Sequence, residues 1–329
     1  MLIVNPNFTI DRTIELDEMV PGAVHRTRAA VPSLGGKGVN VARVARAFGA
    51  RATVVGFLPA LSAAELLALA ASEGATICGV PVSGRVRAAS VMLERSGRVS
   101  VFNEPGAPVE EIDWTRLLTL VERLAPAHRA VVCSGSLPPG SPADAYGRVV
   151  ALARRVGLRT VVDASGAVLR AAVNESPDIV SPNLAESEAL VTGAETHEVE
   201  PSGEQIIARS AQAAHDLLAL GARGAIVSAS GHGAAFAAGE QTMFCRAPEV
   251  QVINPIGAGD ALVGGLVCAL EDGLDWPAAV VHAIAVASAS CEQPVAGAVD
   301  VARARELASE MVAEPVWRAS PEPPGCGSA

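Results

Sequence analysis

Asn254-Pro-Ile-Gly-Ala-Gly-Asp260 runs straight into Ala261-Leu-Val-Gly-Gly-Leu-Val267, which puts an acid at the mouth of an apolar helix, just after glycines 257 and 259. Backbone N–H groups at such a helix start lack intrahelical acceptors, and the helix dipole adds partial positive charge there. The spot attracts an anion, yet Asp260 is itself an anion. Taking a proton from a hydroxyl beside a phosphoryl group that is gaining charge needs both features, so the motif points to phosphoryl transfer. Position 262 is Leu, so the stretch is not a G-x-G-x-x-G dinucleotide fingerprint.

Around this motif the chain alternates short β-branched runs with Ala/Leu-rich runs of helical length. Thr53–Phe57, Ala130–Cys133, Thr160–Asp163, Asp178–Ser181 and Ala225–Ser228 read as strands. Ala63–Glu73, Pro142–Val156, Ala185–Val191 and Glu204–Leu220 read as the helices between them. Repeated βα units predict an α/β fold with a doubly wound, mostly parallel sheet flanked by helices. Ligands on such sheets gather at the carboxyl ends of the strands, where Ser134, Asp163, Asn183, Ser228 and Asp260 fall. Residues 9–32 and 87–103 break the rhythm: they alternate in polarity with no helix between, and predict a small β-sheet lid able to close over a substrate. Residues 1–312 are expected to form the domain. The Pro/Gly-rich residues 313–329 are expected to be a disordered tail.

Composition narrows the function. The 329 residues are half hydrophobic but only 3% aromatic, so Ala, Val and Leu must fill the core. A formal charge of −10 argues against nucleic acid or an anionic membrane as partner. Six scattered cysteines form no C-x-x-C pair, and Cys133, Cys268 and Cys291, in apolar or small-residue surroundings, read as reduced core thiols. The N-terminus lacks a secretory pattern and no apolar run is long enough to span a bilayer, so a soluble cytoplasmic protein is expected. Arg43 and Arg46, three apart on one helix, read as a solvated face.

A second glycine motif, Gly35-Gly-Lys-Gly-Val-Asn40, opens the helix Val41–Phe48 and ends at Gly49. Gly36 lets backbone approach a ligand, while Lys37 and Asn40 offer donors at the helix entrance. It is not a Walker loop, because Lys37 is followed by Gly38.

Together, Gly35–Gly49 and Asn254–Gly265 resemble the two signatures of the PfkB (ribokinase-like) carbohydrate kinases. Asn5–Asp11, Ser134–Gly140 and Val162–Gly166 resemble segments of that family's phosphosugar branch, and the likeness covers roughly residues 1–310. The resemblance implies a ribokinase-like fold with ATP and Mg²⁺ as cofactors. It makes Asp260 the catalytic base and Gly257, Ala258 and Gly259 the anion hole. Asp11, Gly36 and Asn40 would hold sugar hydroxyls, Lys37 would line the sugar-phosphate pocket, and Arg87 would grip the substrate's existing phosphate. Asn183, Ser228, Gly231 and Gly233 would meet the nucleotide, with Glu186 organising Mg²⁺ through water.

The implied reaction is phosphorylation of a hexose monophosphate, with fructose 1-phosphate the first choice. Tagatose 6-phosphate, fructose 6-phosphate or a free sugar remain open, as does a non-catalytic sensor. A homodimer through the lid is also implied. The chain departs from the branch at Ala89 and Val91, where the lid often carries polar residues, at Ser181 in place of a lysine, and at Ser230 in place of a glycine.

Overall fold

The computed structural model describes residues 1–27, 30–193 and 203–316. In chain order the strands begin with β1 (Leu2–Val4), β2 (Thr9–Leu16), β3 (Ala30–Gly35), β4 (Thr53–Pro59), β5 (Thr76–Val82), β6 (Arg87–Glu94) and β7 (Val99–Asn103). They continue with β8 (Ala130–Ser134), β9 (Arg159–Asp163), β10 (Ile179–Val180), β11 (Gly224–Ser228), β12 (Gly233–Ala238), β13 (Gln241–Arg246) and β14 (Ala313–Pro315). The helices are α1 (Lys37–Ala47), α2 (Ala63–Ser72), α3 (Glu111–Leu124), α4 (Ala145–Arg155) and α5 (Gly166–Val173). Then come α6 (Leu184–Thr192), α7 (Gly203–Ala219), α8 (Ala258–Glu271), α9 (Trp276–Cys291) and α10 (Val301–Glu310).

The large sheet runs β14-β13-β12-β11-β10-β9-β8-β1-β4-β5. It is parallel from β5 to β11 and antiparallel beyond. Strand β1 pairs with β4 on one side and β8 on the other, so the winding reverses between β1 and β8. That reversal opens a crevice at the strands' carboxyl ends.

Alternation along the central strands separates two cores. Leu2, Val4, Val131 and Cys133 face the layer containing α3, α4, α5 and α7. Ile3, Ala130 and Val132 face the layer containing α1, α2, α8 and α9. Because α8 is buried all along Asp260–Ala269, it needs no polar face, which explains its uniformly apolar sequence. Among the described residues, no helix is long and apolar enough to cross a membrane.

Strands β3-β2-β6-β7 form the separate lid sheet. Each predicted segment supplies an antiparallel pair, and the parallel pairing of β2 with β6 joins them. The register sets Thr9 beside Arg87 and Asp11 beside Ala89.

One expectation is corrected. Residues 313–315 do not begin a disordered tail: they form β14, which pairs antiparallel with β13 at the sheet edge. Val316 N–H continues the pairing to the Thr242 carbonyl at 2.9 Å. Pro315 is tolerated there because an edge strand has one side free of partners. The rest of the expected tail, 317–329, lies outside the described residues.

Candidate active site

The turn before α8 is shaped by its own sequence. Asn254 Oδ1 accepts the Ile256 N–H at 3.0 Å, and Asn254 Nδ2 donates to the Pro294 carbonyl at 3.0 Å. Gly257 then caps the helix at φ 85°, a left-handed conformation that favours glycine. The Ala258 N–H leans on the Pro255 carbonyl at a long 3.3 Å, while the other first-turn donors are those a helix leaves unpaired.

Asp260 lies one turn in, only 5% exposed, and accepts a 2.7 Å hydrogen bond from Asn40 Nδ2. Burial raises its pKa most, with a further push from the Asp163 charge and, more weakly, Asp11. Lys37 and the Asn40 bond pull the other way, and the carboxyl settles at about 7. A group with that value can take up a proton near neutrality.

Strand ends supply the next layer. Asp163, closing β9, accepts from Ser134 Oγ of β8 at 3.0 Å and pairs with Lys37 Nζ at 3.3 Å. The Asp163 charge holds the Lys37 ammonium on, with smaller help from Asp260 and Glu186. The two glycine motifs therefore meet where the sheet's winding reverses.

The lid adds Asp11 and Arg87. A Cβ on Gly35 would stand 2.2 Å from Asp11 Cγ, so the bare backbone at 35 is what lets this carboxylate settle there. Asp11 Oδ1 is buried without a hydrogen-bond partner, and burial raises the group's pKa. Arg87 is half-buried, and its guanidinium reaches only the Asn7 and Glu104 carbonyls, at 3.4–3.5 Å. Among the described residues no carboxylate forms an ion pair with it. Burial pulls its pKa down while Asp11 pulls it up, and it stays a cation. Ala89 and Val91, two and four residues on, are buried and apolar.

The predicted nucleotide and metal residues lie together. Asn183 bridges to Ser228, and it caps α6 reciprocally with Glu186: the Glu186 N–H donates to Asn183 Oδ1 at 2.8 Å and the Asn183 N–H to Glu186 Oε2 at 3.0 Å. The cap engages one carboxylate oxygen and leaves Oε1 for a cation. Among the described residues no cluster of three or more His, Cys, Asp or Glu could hold a metal alone. A single free carboxylate oxygen such as Glu186 Oε1 would fit an ion like Mg²⁺ that keeps most of its waters. Ser230 sits at φ 48°, glycine-like backbone held by a serine, and Gly231 is exposed. Gly233 instead is buried against the Cys245 carbonyl of β13.

Reading Arg43 as surface is incorrect. Its side chain is 10% exposed and saturated: to Glu73 Oε2 at 2.6 Å, Asn40 Oδ1 at 2.8 Å, and the Leu34 and Ala296 carbonyls at 2.8 and 2.6 Å. The loop carrying Ala296 and Gly297, which packs on Asn40, escapes sequence reasoning too. The available signal was spacing, since Arg43 lies one turn after Asn40 on the same helix side.

The pattern for the "pfkB family carbohydrate kinase" matches residues 5–302. A 1-phosphofructokinase of Xanthomonas campestris is 35% identical over 278 residues, 82% of this chain and 84% of that protein. Another, from Rhodobacter capsulatus, is 34% identical over 83% of this chain and 84% of its own. The solved structure of Escherichia coli phosphofructokinase-2 with potassium superposes with a TM-score of 0.83 at 25% identity, covering 94% of this chain and 98% of that one. The same enzyme has also been solved with fructose-6-phosphate and as a tetrameric inhibited form. The family pattern spans nearly the whole described domain and two relatives exceed 30% identity over four-fifths of the chain, so this chain belongs to the pfkB family of carbohydrate kinases.

Proposed function

We propose that this ATP-dependent sugar kinase converts fructose 1-phosphate to fructose 1,6-bisphosphate. The carrying observation is Asp260, buried at the mouth of α8, held by Asn40 and lifted to about 7. In this reading Asp260 takes the proton of the C6 hydroxyl as that oxygen bonds to the γ-phosphorus. The bond to the bridging oxygen breaks and ADP leaves. Backbone N–H groups at Gly257–Gly259 and the dipole of α8 offset charge on the transferring group. Lys37, fixed by Asp163, lines the same pocket.

Asp11 Oδ1, which lacks a hydrogen-bond partner, would accept a sugar hydroxyl, with Gly36 and Asn40 supplying further sugar contacts. Arg87, a half-buried cation with no carboxylate partner among the described residues, is suited to the substrate's own phosphate. The two 1-phosphofructokinase relatives favour fructose 1-phosphate over other hexose monophosphates. Asn183, Ser228 and Gly231 would form the nucleotide side, while Gly233, packed on the Cys245 carbonyl, shapes the turn behind them rather than meeting the nucleotide. Glu186 would hold Mg²⁺ through water, and the ion, when bound, neutralises phosphate charge. The setting is the cytoplasm, where ATP is supplied. Exposed Val31 and Phe102 on the lid strands support a homodimer through the lid.

The test is ADP release over fructose 1-phosphate, fructose 6-phosphate, tagatose 6-phosphate, fructose and ribose. Fructose 1-phosphate is expected to give the highest kcat/KM. Preference for a free sugar would overturn the substrate, and no ADP release with any of them, despite sugar binding, would overturn catalysis.

A further inference from the structure

Asn40 has one amide and two demanding neighbours. Its Nδ2 faces Asp260 Oδ2 at 2.7 Å and its Oδ1 faces Arg43 Nη1 at 2.8 Å. A guanidinium only donates and an ionised carboxylate only accepts, so the amide has a single workable orientation. Reversed, it would set oxygen against carboxylate and NH₂ against guanidinium. Without Arg43 nothing would hold Oδ1, and the amide could turn away from the carboxylate.

Arg43 is itself over-determined. Glu73 takes it through Nε and Nη2, and the Ala296 and Leu34 carbonyls take the remaining donors. The same Glu73 accepts the Leu34 N–H at 2.7 Å, so both backbone groups of Leu34, in strand β3 of the lid, end on this one ion pair. A continuous chain of bonds runs from lid root to Glu73, Arg43, Asn40 and Asp260.

We propose that Arg43 is a positioning residue for catalysis, fixing the Asn40 amide so that it donates to Asp260, from an anchor shared with the root of the lid. The proposal rests on Asp260 being the base. Asp260 is faced by Asn40, Lys37, Asp163 and Asp11, and Asn40 is one of the two groups that hold its pKa down. Loss of that donation leaves a base that is harder to ionise and less well aimed. A clamp that merely held the loops together would change thermal stability and leave turnover per folded molecule alone.

The experiment is a double-mutant cycle on the full chain, with Arg43→Met, Asn40→Ala and the pair, alongside Arg43→Lys, Glu73→Gln and Asp260→Asn. Arg43→Met and Asn40→Ala are each expected to lower kcat about 10- to 100-fold, the worth of one hydrogen bond to a charged group. The KM for ATP should stay within about twofold. The double variant should fall no further than Asn40→Ala, because Arg43 acts through that amide. Arg43→Lys, which can still donate to Oδ1, should regain part of the loss. The acid limb of kcat/KM should move to higher pH in Arg43→Met and Asn40→Ala alike. Should Arg43→Met fail to fold, Glu73→Gln, with the guanidinium retained but loosely held, should still cost several-fold in kcat.

Multiplicative losses in the double variant, a wild-type kcat in folded Arg43→Met, or a wild-type kcat in Glu73→Gln would each overturn the proposal. Near-full turnover in Asp260→Asn would instead remove the reading of the base on which it stands.

Discussion

Replacing Asp260 with asparagine should trade activity for stability. The carboxyl titrates at about 7 in the folded chain against an ordinary 3.8. Each unit corresponds to about 1.4 kcal/mol, so holding Asp260 ionised costs the fold on the order of 4 kcal/mol, of which roughly half accrues between pH 5 and pH 7. The sign follows from which state binds the proton more tightly. Folded Asp260 binds it better, so its contribution is fully present below about pH 4 and is lost as pH rises through about 7. Asparagine does not titrate. Lys37 and Asp11 remain in both proteins, so their own contributions largely cancel. Relative to the wild type, Asp260→Asn should therefore gain thermal stability between pH 5 and pH 8, by a few degrees in Tm for about 2 kcal/mol. The assay is thermal unfolding at both pH values, paired with kcat and nucleotide titration. Turnover should fall at least a thousand-fold, the upper range for losing a general base, with ATP affinity barely changed. A Tm difference that stays constant between pH 5 and pH 8 would show that Asp260 ionises at an ordinary value, and the electrostatic reasoning would be wrong.

Three further outcomes are expected. Arg87→Ala should raise KM for a sugar phosphate about 10- to 100-fold with a smaller effect on kcat, measured by steady-state kinetics; an unchanged KM would point to a neutral sugar. Lys37→Met removes the charge that pulls Asp260 down, so the acid limb of kcat/KM should shift to higher pH in a pH–rate profile. Gly35→Ala drives a Cβ to within 2.2 Å of Asp11 Cγ and should weaken sugar binding about tenfold or more, with nucleotide binding intact by calorimetry.

Legibility from sequence followed locality. Most of the parallel strands were readable because burial on both faces demands β-branched runs, and β4, β8, β9 and β11 lie within a few residues of their expected bounds. Strand β5, at the sheet edge, was not readable. The hairpin of β12 and β13 was not, since Gly233-Ala-Ala-Phe-Ala-Ala238 has none of the branched residues that mark a strand. Proline disguised β14 in the same way. Both lid segments were visible from their alternation, but the parallel β2–β6 pairing that joins them has no local signal. The candidate site divides likewise. Each glycine motif announces itself, whereas the Asn40–Asp260 bond spans 220 positions. Arg43 misled because arginine is usually exposed, and the partners that bury it, Glu73 and Ala296, sit on remote segments.

The order in which these pieces leave the ribosome matters. Val39, Val41 and Ala42 of α1 are buried in the same core as Leu262, Val263 and Leu266 of α8. Those late residues emerge long after α1, so the part of its flank that α8 covers must wait through most of translation. Nascent chains of this protein should consequently be strong clients for holdase chaperones until the final third has been made. A truncation ending before Asn254 should aggregate rather than survive as a smaller, inert domain.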